Sequence, residues 1–159
     1  YQRIHFIETI EKAMGQNLKG QTVAIWGLAY RPNTDDMRDA PSLNIIRGLQ
    51  QRGARVQAYD PLAMKATKAL MPDLDYKESP YEAAAGADVI AVLTEWHEFS
   101  FINFRLLKEA SECRVIVDGR NLYNPLRMGN MGFRYISIGR KQAEPGMKSP
   151  EVDLPQLMS

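Results

Sequence analysis

Apolar residues at the start of the chain recur at near-helical intervals. Ile4, Ile7, Met14 and Leu18 form the row, Ile10 and Ala13 fall between them, and Glu8, Glu11 and Lys12 lie mostly elsewhere. This spacing predicts an amphipathic helix over 3–18, ended by Leu18-Lys19-Gly20-Gln21. The pattern then changes. Thr22-Val23-Ala24-Ile25-Trp26-Gly27 is a short apolar run closed by glycine, which predicts a buried strand. A long polar loop follows from Ala29 to about Asp39. Pro41 and Ser42 open the next helix, Leu43, Ile46 and Leu49 give it a buried stripe, and Gly53 ends it. Further strands are expected at 55–59, 75–77, 88–93, 114–119 and 134–138. Helices are expected at 62–70, 80–86, 103–112 (with Asn103 as cap) and 124–131.

Strands thus alternate with helices, and the central strands are apolar without alternation. That is the pattern of a parallel sheet covered on both faces. Right-handed crossovers make it an α/β, Rossmann-like, doubly wound sheet preceded by one N-terminal helix. Beyond Gly139, Pro145, Pro150 and Pro155 stand among few aliphatic residues, so 141–159 reads as an extended or disordered tail.

Composition narrows the function classes. At 159 residues the chain is long enough for one domain with a core. With 45% hydrophobic and 25% charged residues and a net charge of +1, no field for nucleic acid or an anionic membrane is implied. The longest apolar runs, such as Val89 to Leu93, are too short to span a bilayer. A single cysteine, Cys113, excludes an internal disulfide framework and fits a reducing compartment, so a cytoplasmic location is expected. Two histidines and one cysteine at these spacings offer no metal site. The chain begins at Tyr1 rather than Met, which reads as a boundary or a processing site.

Chemistry is concentrated in the loop after the first strand. A dinucleotide site would show G-x-G-x-x-G there. The chain reads Gly27-Leu28-Ala29-Tyr30-Arg31-Pro32, without the second and third glycines. Asp60, ending the second strand, stands where an acid would hold a ribose. The loop carries Tyr30, Arg31, Asn33, Thr34, Asp35, Asp36, Arg38 and Asp39. Its two arginines can grip phosphates bidentately, which suits a diphosphate. Alternatively, Asp35, Asp36, Arg38 and Asp39 pair with one another and cap the helix at Pro41. By composition alone this second reading prevails.

The continuous run from Gly27 to Ser42, Gly-Leu-Ala-Tyr-Arg-Pro-Asn-Thr-Asp-Asp-Met-Arg-Asp-Ala-Pro-Ser, shifts that balance. It resembles the signature that opens the C-terminal domain of the UDP-glucose/GDP-mannose dehydrogenase family. Ala58-Tyr59-Asp60-Pro61, Leu93-Thr94-Glu95-Trp96 and Val117-Asp118-Gly119-Arg120-Asn121 resemble further family segments, in order and at suitable spacing. The resemblance covers residues 1 to about 140, and the wording at 33–38 is closer to the UDP-glucose branch.

The resemblance implies an enzyme that oxidises the sugar C6 alcohol to a carboxylate with two NAD⁺. It also implies that NAD, the catalytic cysteine and its lysine belong to earlier domains, and that a central helical region forms a homodimer. On this basis residues 1–20 are the end of a linker helix and 21–140 bind the nucleotide sugar. Tyr30 and Arg31 fall where the family has an aromatic residue and usually a lysine at the nucleotide sugar; the arginine is a departure in reach and geometry. Arg120 lies in a substrate-contact motif. Arg38 matches an arginine reaching across the cleft toward NAD, and Asp36 is expected to brace it. Arginines and strand-end backbone amides would hold the diphosphate of UDP-glucose or a related nucleotide sugar.

Other residues have plainer readings. Cys113 reads as small apolar filler, His97 as an exposed loop residue, His5 as surface or packing, and Trp26 as core. Trp96 either walls the nucleotide pocket or closes the core. Two rival functions remain: a stand-alone nucleotide-sugar sensor, and an interaction domain using residues 3–18 and the tail.

Overall fold

The computed structural model describes residues 3–138; the predicted tail at 141–159 lies outside them. The chain order is α1 (Arg3–Ala13), β1 (Thr22–Trp26), α2 (Pro41–Gln51), β2 (Arg55–Tyr59), α3 (Met64–Leu70), β3 (Asp75–Tyr76), α4 (Pro80–Ala84), β4 (Val89–Val92), α5 (His97–Ser100), α6 (Phe104–Ala110), β5 (Val115–Asp118), α7 (Pro125–Asn130) and β6 (Arg134–Ser137). Every strand pairing is parallel, and the sheet order is β3-β2-β1-β4-β5-β6. This is the doubly wound arrangement expected. Central β4 is buried at all positions, as a strand covered on both faces must be.

The order also fixes where ligands can sit. Crossovers from β1 run one way along the sheet and crossovers from β4 run the other. Right-handed connections therefore place their helices on opposite faces, and a crevice opens between the carboxyl ends of β1 and β4.

Helix α1 packs against α2 and β5. It thus covers the part of that face which the later crossovers leave bare. Phe6, Ile7 and Ile10 are buried there. The approach is close at Gly48 on α2, where a Cβ would meet Ile7 Cδ1 and push that side-chain end aside. Two polar contacts fix the helix: Glu11 pairs with Arg52 at 3.1 Å, and Arg134 donates to the Ala13 carbonyl at 2.8 Å.

Departures from the sequence pattern are local. Helix α1 stops at Ala13, and Gly15 and Gln16 take positive φ values of 76° and 71° in the turn that follows. Leu18 still reaches the core, from the connection rather than the helix. On α2, Leu43 is only partly buried, and Ser42 and Gly48 lie on the buried face. Residues 97–100 form the short helix α5 rather than a loop. Phe99 draws it in by stacking on Trp26, with ring centroids 5.6 Å apart.

Candidate functional site

The loop after β1 is built from the backbone outward. Gly27 has φ +98°, and a Cβ there would lie 2.6 Å from Thr94 Cβ and 2.8 Å from Thr94 N. Only glycine fits. The next two residues have all their backbone polar groups bound. Leu28 and Ala29 donate their amides to Asp60 Oδ2 at 2.7 and 3.1 Å. Ser42 Oγ donates to the Leu28 carbonyl at 2.6 Å, and Thr94 Oγ1 donates to the Ala29 carbonyl at 2.8 Å. Side chains from β2, α2 and the β4 end thereby clamp one dipeptide. Tyr30 emerges from this clamp 47% exposed.

Asp60 is fully buried and serves the protein. Besides the two amides above, it accepts from Trp96 Nε1 at 3.1 Å, Leu62 N at 2.8 Å and Ala63 N at 2.7 Å. Five donors occupy both oxygens, so no ribose can be held here. With a single glycine at the turn as well, the crevice does not fit a dinucleotide such as NAD.

A second buried acid performs the same task at β5. Asp118 accepts from Arg120 N and Leu122 N, each at 2.7 Å, and from Tyr135 Oη at 2.6 Å. This folds the turn 119–122 and directs Arg120 over the crevice. The Gly119 amide is bound to the Val92 carbonyl at 2.9 Å. The expectation that strand-end amides grip a diphosphate is therefore corrected at Leu28, Ala29, Gly119, Arg120 and Leu122, whose amides all donate within the protein.

Two concavities meet at Tyr30 and Arg31. The first, of about 420 Å³, lies at the β1–β4–β5 ends and is lined by Phe6, Tyr30, Arg31, Glu95, Gly119 and Arg120 among others. The second, more open and about 700 Å³, is formed by the loop itself and includes Tyr30, Arg31, Thr34, Asp36 and Arg38. The three predicted substrate residues thus converge on one cavity, while Arg38 stands apart on the far side of Arg31.

The cations differ in how they are held. The Arg31 guanidinium carbon lies 5.5 Å from the centroid of the Tyr30 ring, and the group has no hydrogen-bond acceptor among the described residues. Arg38 is clamped by Asp36. Its Nε and Nη2 donate to the two carboxylate oxygens at 3.1 Å each, and its amide donates to Oδ1 at 3.0 Å. The Arg38 hydrogen bond holds the Asp36 carboxyl below its ordinary value, so Asp36 braces Arg38 as expected. Helix capping by the loop acids does not occur, because the N-cap of α2 is Ala40 without a side-chain cap bond. Arg120 is paired through Nε with Glu95.

Remaining residues take plain roles. Trp96 is buried and closes the core onto Asp60. His97 is exposed and packs edge-on against Phe101. Cys113 is buried before β5, and burial pushes its thiol up to about 11. Among the described residues, no group of His, Cys, Asp or Glu could hold a metal ion. No described helix is long and apolar enough to cross a membrane.

The sheet order and the crevice define a Rossmann-like α/β domain with arginines at the carboxyl edge of its sheet. Residues 24–125 match the UDP-glucose/GDP-mannose dehydrogenase family, UDP binding domain, and the chain belongs to that family. It is 44% identical over 128 residues to UDP-glucose 6-dehydrogenase of Rhizobium meliloti, covering 80% of this chain and 29% of that protein. Among solved structures, it resembles a UDP-glucose dehydrogenase from the hyperthermophilic archaeon Pyrobaculum islandicum, with TM-score 0.67 and 31% identity, covering 76% of this chain and 26% of that one. It also resembles NDP-N-acetyl-D-galactosaminuronic acid dehydrogenase from Methanosarcina mazei Go1, with TM-score 0.74 and 26% identity, covering 92% of this chain and 30% of that one. The chain therefore spans less than a third of the length of these relatives.

Proposed function

We propose that this chain is the nucleotide-sugar-binding part of an NAD-dependent UDP-glucose 6-dehydrogenase, which oxidises UDP-glucose to UDP-glucuronate. The observation that carries this reading is the convergence of Tyr30, Arg31 and Arg120 on one cavity at the β1–β4 crevice. Arg31 and Arg120 bind the diphosphate through guanidinium donors, and the Tyr30 ring flanks the ligand. Binding energy spent here orients the sugar C6 toward chemistry performed outside this chain. Arg38 reaches toward NAD held by another part of the enzyme. Cys113 cannot supply the nucleophile, since its thiol is buried and its ionisation suppressed. In this reading α1 ends a linker helix, the enzyme is a cytoplasmic homodimer, and residues 21–140 form the binding domain.

Calorimetric titration of the chain with UDP, UMP and uridine tests the claim. UDP binds tightest, and loss of each phosphate weakens binding about tenfold. Mixed with UDP-glucose and NAD⁺, the chain forms no NADH. Equal binding of UDP and uridine would contradict diphosphate recognition, and NADH formation would contradict the division of labour.

A further inference from the structure

We propose that Glu95 is the positioning residue of the nucleotide site, holding Arg120 by its Nε so that the terminal nitrogens face the cavity. The inference rests on the nucleotide-binding reading above. Glu95 follows β4 and Arg120 follows β5, and these strands are neighbours with Val92 opposite Asp118. The two side chains therefore leave the sheet edge side by side and line the same cavity. The pairing uses Arg120 Nε and Glu95 Oε2. Arg120 Nη1 and Nη2 have no hydrogen-bond acceptor among the described residues.

The guanidinium is thus gripped on one edge and open on the other. Its backbone is fixed independently, because Asp118 Oδ1 accepts the Arg120 amide at 2.7 Å. Main chain and side chain are each anchored by a separate carboxylate before any ligand arrives. A long side chain ordered in advance loses less freedom on binding, and a guanidinium presents its remaining donors as a flat fork suited to phosphate oxygens. Asp36 repeats the device at Arg38, where Nε is again among the bonded atoms. Arg31, by contrast, has no carboxylate on its guanidinium and lies against a ring.

The test is NMR of the chain and its Glu95→Ala and Glu95→Gln variants, with UDP as probe. The arginine side-chain Nε–H signals are followed together with backbone amides. In the parent chain the Arg120 Nε–H exchanges slowly and UDP shifts the Tyr30, Arg31 and Arg120 amides. Glu95→Ala accelerates that exchange and weakens UDP about tenfold, without lowering the thermal midpoint. Glu95→Gln, whose amide oxygen still accepts from Nε, recovers binding to within about threefold of the parent. Parent-like or tighter UDP binding by Glu95→Ala would overturn the positioning role while leaving the nucleotide reading intact. Failure of the parent itself to bind UDP would overturn the nucleotide reading, and this inference with it.

Discussion

Asp60 Oδ2 accepts the amide of Leu28 at 2.7 Å across 32 positions of sequence, tying the end of β2 to the loop that carries Tyr30 and Arg31. The same carboxylate holds four other donors. Asp60→Ala leaves them buried without an acceptor. We expect a loss on the order of 3 kcal/mol or more, a large part of a typical domain's stability. Urea unfolding would show it, and the Leu28 and Ala29 amides would move most in the spectrum of any folded fraction. A loss below about 1 kcal/mol would mean that the network contributes no more than a single ordinary bond.

Gly27 is tested by its smallest possible change. Gly27→Ala places a Cβ 2.6 Å from Thr94 Cβ and 2.8 Å from Thr94 N, with φ at +98°. The Thr94 backbone cannot swing aside as a flexible side chain could. Destabilisation of about 3 kcal/mol, or insoluble protein, is expected. An unchanged melting temperature would show that the β1 turn differs from the one described.

The Asp36–Arg38 pair gives a pH signature without a stability claim, because Arg38 is almost fully exposed. The Arg38 hydrogen bond lowers the Asp36 value below 3.8. A depressed folded value means the pairing is complete above the ordinary carboxyl value and is lost as pH falls through the depressed one. Carboxyl-carbon NMR should therefore find Asp36 titrating below 3.8, and Arg38→Ala should return it toward that value. Identical titration in both proteins would remove the pair.

Cys113 offers a chemical check on burial. Its thiol is buried and pushed up to about 11. At pH 8 the folded chain should react with a thiol reagent at least about a hundredfold more slowly than the denatured chain, since the thiolate is both scarce and screened. Fast labelling of the native protein would contradict the packing ahead of β5.

Much of the fold was legible because it is written in hydrophobic period. The apolar runs at 22–27, 88–93 and 114–119 became β1, β4 and β5 with ends shifted by about one residue. The short helix α5 was not legible, since Trp96 and Phe99 interrupt no pattern and act only through contacts with Asp60 and Trp26. At the site, the cluster of Tyr30, Arg31 and Arg120 was readable from motif wording. The structural roles of the two buried acids, Asp60 and Asp118, were not legible. Asp60 looks like a ribose-binding acid in sequence, and nothing in the pattern reveals that Oδ2 is taken by the amides of Leu28 and Ala29 and the Trp96 indole, all more than thirty residues away. Glu95 was within reach: it sits in the Leu93-Thr94-Glu95-Trp96 segment, and two adjacent parallel strands place it beside Arg120.

The most direct measurement is a backbone-amide NMR titration of this chain with UDP and then UDP-glucose. The half-site account predicts saturable shifts clustered at Tyr30, Arg31 and Arg120, little movement at Arg38, and loss of the response in Arg31→Ala. A folded chain with no shifts at millimolar UDP, or with shifts centred away from the β1–β4 crevice, would contradict it.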